Sequence, residues 1–259
     1  MEEAATNGGG VHGHANVALA ARVDRSQIGD GHAITRAMSR STAIPADLGI
    51  ARDGIRFPPL YQALRAPVRM ALTRLFDLSV RGVEHLPAYG PYIVAANHHN
   101  YLDGLVLGAT VPAPIAFLVM PRVYRATPLH PWFHRRVGSI QLELARPDVG
   151  ALRRALGTLD SGGVVGIFPE GPFSVRGRLE RGLPGVALLA LRSGVPVVPA
   201  GIAGTYEALD GRRWYVPRRR PLAVRFGPAR RFPLDGAPHR DMRAAVTRRI
   251  MDDIAALLP

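Results

Sequence analysis

The chain has 259 residues, enough for one large α/β domain with a tail, and 47% of them are hydrophobic, enough for a substantial core. It contains no cysteine, which excludes disulfides, thiolate nucleophiles and cysteine metal sites. All 33 basic residues are arginine and the formal net charge is +13, a balance that favours anionic partners such as an acidic lipid surface, phosphorylated molecules, nucleic acid or an acidic carrier protein.

Residues 1–55 are rich in Gly, Ala and polar groups with weak periodicity, and are expected to form a disordered tail ahead of a domain over 56–259. They begin Met-Glu-Glu, with no basic region leading into an apolar stretch, so no secretory signal is expected. No run of 18 or more apolar residues occurs, so no membrane-spanning helix is expected either. A cytoplasmic protein, or one resting on the cytoplasmic face of a membrane, fits these features.

Residues 57–76 place apolar groups at helical spacing, with Arg65, Arg69 and Arg74 off the apolar stripe. Pro67 is expected to break or restart this amphipathic helix. Such a basic helix can lie on an anionic membrane surface, each charge contributing roughly 1 kcal/mol, or can pack on its own domain. Beyond it the pattern alternates. Strands are expected over 77–83, 92–97, 115–120, 138–144, 163–168, 196–202 and 222–227. Helices are expected over 102–109, 128–136, 148–160, 183–193 and 239–257. The apolar runs 163–168 and 195–202 lack clean alternation, as do strands covered on both faces. The order predicts a single α/β domain whose mainly parallel sheet is flanked by helices. The basic stretch 212–221, with Trp214 and Tyr215, reads as a loop that touches lipid headgroups or is solvated.

The stretch Asn97-His98-His99-Asn100-Tyr101-Leu102-Asp103 follows the apolar run 92–96. His98 and Asp103 are five residues apart, about 140° around a continuous helix and on opposite faces of a strand. They meet only across a turn between a strand and a helix, and the pattern supplies one. An aspartate on one ring nitrogen would set the tautomer and leave the other nitrogen as a base, suited to taking a proton from an alcohol. A second polar turn, Phe168-Pro169-Glu170-Gly171, ends the run 163–168. Both turns fall at carboxyl ends of strands, where parallel sheets bind ligands. Gly171 permits a positive φ or a close approach to substrate.

In combination these blocks resemble the glycerolipid acyltransferase family typified by bacterial 1-acylglycerol-3-phosphate acyltransferase. Asn97, His98 and Asp103 match its first block. Pro131, Trp132, Gly138 and Ile140 match its second, and Phe168 to Gly171 with Ser174 its third. Val195, Pro196 and Pro199 match its fourth, and the likeness covers roughly residues 58–230. The resemblance implies that His98 and Asp103 are catalytic, and that Asn97, Glu170, Gly171 and Ser174 serve the substrate. It implies a lysolipid acceptor and an acyl-CoA or acyl carrier protein donor, with no bound cofactor or metal and no acyl-enzyme. Many members carry arginine where this chain has Phe173 and Leu144, residues associated with the acceptor's phosphate. Either a nearby arginine (Arg146, Arg176, Arg178 or Arg181) substitutes, or the acceptor is another lysolipid or lacks a phosphate beside its hydroxyl.

The same letters also spell His98-His99 followed by Asp103-Gly104, resembling the block of CoA-dependent acyltransferases and condensation domains in which the second histidine, here His99, is the base. That family's downstream Asp-Phe-Gly-Trp-Gly block is missing. A third reading is a non-catalytic basic protein that binds a membrane. Nucleic acid is not an expected partner, because no nucleic-acid motif accompanies the charge.

Overall fold

The computed structural model describes residues 58–143, 148–209, 216–233 and 236–259. The expected tail at 1–55, Leu144, Arg146, Trp214 and Tyr215 lie outside them. The elements run α1 (Pro59–Phe76), β1 (Ser79–Arg81), a single 3₁₀ turn (Val83–His85), β2 (Tyr92–Ala96), α2 (Tyr101–Thr110) and β3 (Ile115–Val119). Then come α3 (Pro121–Tyr124), α4 (His130–Val137), β4 (Ile140–Gln141), α5 (Val149–Asp160), β5 (Val164–Ile167) and α6 (Gly185–Ser193). The chain closes with β6 (Val197–Ala203), α7 (Thr205–Ala208), β7 (Ala223–Phe226) and α8 (Arg240–Ala255).

The seven strands form one sheet in the order β1-β7-β6-β2-β5-β3-β4. β2, β3, β4, β5 and β6 run parallel, whereas β7 is antiparallel to β6 and carries β1 beside it in its own direction. The central strand β2 is buried at all five residues, because it has a neighbour on each side and helices on each face. Tyr92, Val94 and Ala96 share one core with Val106 and Leu107 of α2 and with Leu72 and Phe76 of α1. α5, α6 and α8 supply a second buried set, among them Ala151, Leu189, Val246, Ile250 and Ile254. The mainly parallel α/β architecture expected from the patterning is the one observed.

α1 corrects two expectations. It runs unbroken through Pro67. Proline removes one backbone donor and crowds the preceding turn, but both halves of this helix are anchored elsewhere. Tyr61 Oη donates to the Gly108 carbonyl at 3.2 Å and accepts from the Ile115 N–H at 3.3 Å, while Leu72 and Phe76 are buried in the core. Arg65, expected on the outer side, turns inward and donates from Nη2 to the Val111 carbonyl at 3.0 Å. Arg69 and Arg74 are exposed as expected.

α1 therefore tolerates Pro67 rather than needing it. Pro67→Ala restores a donor at an exposed site and should raise stability by about 1–3 kcal/mol, read as an upward shift of the denaturant midpoint at unchanged m. An unchanged or lowered midpoint would show that the proline fits this helix without cost.

Candidate active site

The site grows out of the end of β2. Asn97 follows the strand and is fully buried. Its side-chain amide donates to the Ile202 carbonyl at 2.8 Å and its Oδ1 accepts from the Ile202 N–H at 2.7 Å. Both amide atoms are thus used on β6, so Asn97, expected at the substrate, fastens the turn to the sheet instead.

The next residues leave the sheet and start α2. Asn100 is the N-cap, and its Oδ1 accepts from the Leu102 N–H at 2.9 Å. Asp103, in the first helical turn, reaches back, and its Oδ2 accepts from the N–H groups of His99 at 2.6 Å and Asn100 at 2.8 Å. The same oxygen meets His98 Nδ1 at 2.9 Å. A carboxylate oxygen already receiving two N–H groups acts as acceptor, so Nδ1 carries the hydrogen and Nε2 holds the lone pair. The turn between a strand and a helix brings together the two residues that neither element alone could.

The His98 ring lies flat on Phe168, with centroids 3.7 Å apart and planes 5° from parallel. Phe173 meets it edge-on at 4.4 Å. Tyr101 meets Phe173 at 4.9 Å, and the Arg122 guanidinium carbon lies 5.9 Å from the centre of the Phe173 ring. His98 borders a cavity of about 1380 Å³ whose walls include Leu64, Val68, Phe117, Val123, Leu152 and Leu188. That is a predominantly apolar chamber with the Asp103-held imidazole of His98 on its wall.

Glu170, 5% exposed, does not face this chamber as a free carboxylate. Its Oε1 accepts from the His98 N–H at 2.7 Å and its Oε2 from the Glu180 N–H at 2.6 Å. Burial pushes its carboxyl up to about 7, against the pull of those two N–H groups. Ser174 closes the same loop. Its N–H donates to the His98 carbonyl at 2.8 Å and its hydroxyl to the Arg178 carbonyl at 2.7 Å. Gly171 borders the chamber with φ +79°, and a Cβ there would meet Leu183 at 2.8 Å. Of the residues expected at the substrate, Gly171 lines the chamber, while Glu170 and Ser174 hold the backbone of His98. Arg176 is exposed, its N–H pointing at Ser174 Oγ at 3.4 Å, and Arg146 lies outside the described residues.

His99 points the other way. Its Nδ1 pairs with Thr205 Oγ1 at 3.2 Å, and it borders a separate cavity of about 470 Å³ together with Arg178, Glu207 and Arg220. Burial lowers its pKa, partly offset by Asp103 and Glu207. Among the described residues no carboxylate lies within ion-pair distance of its ring; Asp103 takes its backbone N–H. His134, also on the chamber wall, is held down to about 4, chiefly by burial and then by the neighbouring His130. Among the described residues no group of three His, Cys, Asp or Glu is placed to hold a metal ion.

Residues 77–203 match the family model described as Acyltransferase. That segment, just under half of the chain, is similar to the Acyltransferase family. The chloroplastic 1-acyl-sn-glycerol-3-phosphate acyltransferase of Brassica napus is 29% identical to it over 133 residues, covering 50% of this chain and 38% of that protein. The 1-acyl-sn-glycerol-3-phosphate acyltransferase of Bacillus subtilis is 22% identical over 152 residues, covering 56% of this chain and 72% of that protein. The aligned part thus spans well under half the length of the plant relative. The crystal structure of the 1-acyl-sn-glycerophosphate acyltransferase PlsC from Thermotoga maritima shares the fold, with a TM-score of 0.60 at 24% identity over 76% of this chain and 80% of that one. The matched segment contains the His98–Asp103 pair, Glu170 and the Phe168 and Phe173 rings.

The sequence reading had no signal for Phe168 as a stacking partner or for Arg122 at the chamber. One exposed arginine among 33 carries no mark of its surroundings. The raised Glu170 carboxyl has a measurable consequence. The folded protein binds this proton more tightly than the unfolded chain, so the group's contribution to stability is largest at low pH and declines as pH rises from 4.5 to about 7. The stability of the wild type relative to Glu170→Gln, from denaturant midpoints, should therefore fall across that window and level off above it. A difference that does not change with pH would show that folding does not shift the Glu170 carboxyl, and one that rises with pH would show that it is held ionised.

Proposed function

We propose that this chain transfers a fatty acyl group from a thioester, acyl-CoA or acyl carrier protein, to a hydroxyl of a glycerolipid acceptor such as 1-acylglycerol 3-phosphate, in phospholipid biosynthesis. One observation carries the reading. His98, on the wall of a large, mostly apolar chamber, is held by Asp103 through Nδ1 at 2.9 Å. An acyl chain needs such a chamber, and an alcohol nucleophile needs such a base.

In the proposed step, His98 Nε2 takes the proton of the acceptor hydroxyl as its oxygen attacks the thioester carbonyl. Asp103 holds the ring and offsets the charge of the imidazolium. The tetrahedral intermediate collapses, the C–S bond breaks, and the departing thiolate recovers the proton from His98. One C–O bond replaces one C–S bond, with no acyl-enzyme and no net change in protonation of the protein. Asn97, Glu170 and Ser174 serve by fixing the backbone around His98, and His99, with no carboxylate on its ring, is a weaker candidate for the base.

Attachment to the cytoplasmic face of an anionic membrane belongs to the same proposal. No described helix is long and apolar enough to cross a membrane. α1 exposes Met70 and Leu75 beside Arg69 and Arg74, and α4 exposes Trp132, whose ring lies 5.5 Å from the Arg136 guanidinium carbon. Apolar groups set among cations suit an anionic bilayer interface.

The test is thiol release from a long-chain acyl-CoA with lysophosphatidate as acceptor. The protein has no cysteine, so a thiol reagent reports product alone. His98→Ala should lower acceptor-dependent release by about 10²–10⁴-fold, with His99→Ala close to wild type. Loss in His99→Ala alone would move the base to His99. No release with CoA or carrier-protein donors over a panel of lysolipids would favour a non-catalytic membrane-binding protein.

A further inference from the structure

His98 and His99 are consecutive, and they border different cavities. The chamber of His98 has a use in the reaction above, whereas the cavity of about 470 Å³ beside His99 has none. That smaller cavity also lies at the carboxyl edge of the parallel strands. Ile202, Ala203 and Gly204 bring the end of β6 to it, and Arg220 and Pro221 enter from the segment that precedes β7. β7 runs antiparallel to β6 with Ala223 opposite Ala203, so its start lies at the same edge.

α7 is the frame of this cavity. Tyr206 Oη donates to the Val175 carbonyl at 3.3 Å, and a Cβ on Gly177 (φ +66°) would meet the same ring at 2.6 Å. That contact fixes the wall that carries Arg178. The Arg218 N–H donates to the Ala208 carbonyl at 2.7 Å, which fixes the wall that carries Arg220. Thr205 meets His99 Nδ1 with its hydroxyl at 3.2 Å and accepts from Asn100 Nδ2 at its carbonyl at 2.5 Å. One short helix thus ties two arginine-bearing segments to the catalytic turn.

Arg178 and Arg220 are exposed, and no described carboxylate lies within ion-pair distance of either. Glu207 and Pro259 border the cavity too, but Arg176 and Arg219 stand exposed on the same two segments, so the surroundings stay cationic. Leu179, Ile202, Pro221 and Leu258 make the rest of the lining mostly apolar. Guanidinium groups that no described carboxylate neutralises, set beside an apolar hollow, suit a phosphate carried on a weakly polar arm.

We infer that this cavity receives the phosphate end of the donor's pantetheine arm, with Arg178 and Arg220 on the phosphate. The inference rests on the acyl-transfer reading above and deepens it. Acyl-CoA and acyl carrier protein share that arm, with a thioester at one end, an amide-linked chain, and a phosphate at the other. With the acyl chain in the apolar chamber and the thioester carbonyl at His98 Nε2, the sulfur points away from the chamber. The cavity lies one residue further along the same turn, within reach of so long an arm. The departing thiolate then belongs to a molecule whose far end two cations hold. The basic stretch 212–221, which as sequence reads only as a loop at lipid or in solvent, has a specific use at Arg220.

The experiment uses donors that carry one acyl chain: acyl-CoA, acyl carrier protein, S-acyl phosphopantetheine and S-acyl pantetheine, with lysophosphatidate as acceptor. In Arg178→Gln and in Arg220→Gln, the ratio of kcat/KM for acyl-phosphopantetheine over acyl-pantetheine should fall by about tenfold to a hundredfold, chiefly through the donor KM. Whichever of acyl-CoA and acyl carrier protein the wild type uses should fall with acyl-phosphopantetheine. An unchanged ratio overturns the inference. So does a fall confined to acyl-CoA, which would put the nucleotide's phosphates in the cavity. A rise in the KM of lysophosphatidate with the donor KM unmoved overturns it too, because the acceptor would then sit there. A second readout needs no turnover. Phosphopantetheine should bind His98→Ala in calorimetry, and more weakly by the same factor when Arg220→Gln is added; equal binding, or none to His98→Ala, overturns the inference. If wild type turns over no donor, the acyl-transfer reading fails, while the calorimetric comparison still decides whether the cavity holds the phosphate.

Discussion

One carboxylate oxygen organises this site. Asp103 Oδ2 accepts from the His98 ring and from the backbone of His99 and Asn100 at once. Each bond is charge-assisted and buried, and such bonds are worth roughly 1.5–3 kcal/mol apiece. The same oxygen closes the first turn of α2, ends the strand-to-helix turn and sets the tautomer of His98. Helix capping and orientation of the base are one interaction here, so neither can be altered separately. A neutral amide at 103 would present an N–H group toward donors or lose its hold on two backbone N–H groups.

Around that oxygen, the polar residues that read as substrate contacts act mostly on the backbone. Asn97 ties the turn to β6, Glu170 ties it to the segment at Glu180, and Ser174 ties it to the loop that carries Phe173. The arrangement is physically sensible. A base must be held to within a fraction of an ångström of its partner, and a loop does this poorly unless neighbouring elements lock it. Fixing the main chain on both sides of His98 leaves the ring only the orientation set by Asp103 and Phe168.

Much of the fold was legible in the sequence because buried parallel strands announce themselves as unbroken apolar runs. β5 and β6 were found that way; the other five strands, with α2, α4, α5, α6 and α8, were found from the alternation of strand-like and helix-like segments along the chain. Direction is another matter. An apolar run reads the same whichever way the strand points, so the reversal of β7 and β1 left no trace. α3 and α7 have four residues each, too few for a helical period to show. Pro67 obeyed a local rule that the anchoring of Tyr61, Leu72 and Phe76 overrode. In the site, His98 and Asp103 were legible because their spacing demands a turn. The true partners of Asn97, Glu170 and Ser174 were not, because they are backbone groups, and a backbone N–H or carbonyl has no letter.

Charge presents the same problem in sharper form. With 33 arginines and no lysine, composition marks the chain as a partner for anions without saying where. Geometry places Arg122 against the Phe173 ring that meets His98, and magnitude decides what that does to the base. A cation near His98 would oppose protonation of the ring, which is the wrong sign for a base. Yet Arg122 is exposed, with the Phe173 ring between it and His98, and the field of an exposed charge is screened by water and salt. Asp103 is in direct contact at 2.9 Å and buried. The carboxylate therefore dominates the electrostatics of His98, and the opposing field of Arg122 is small.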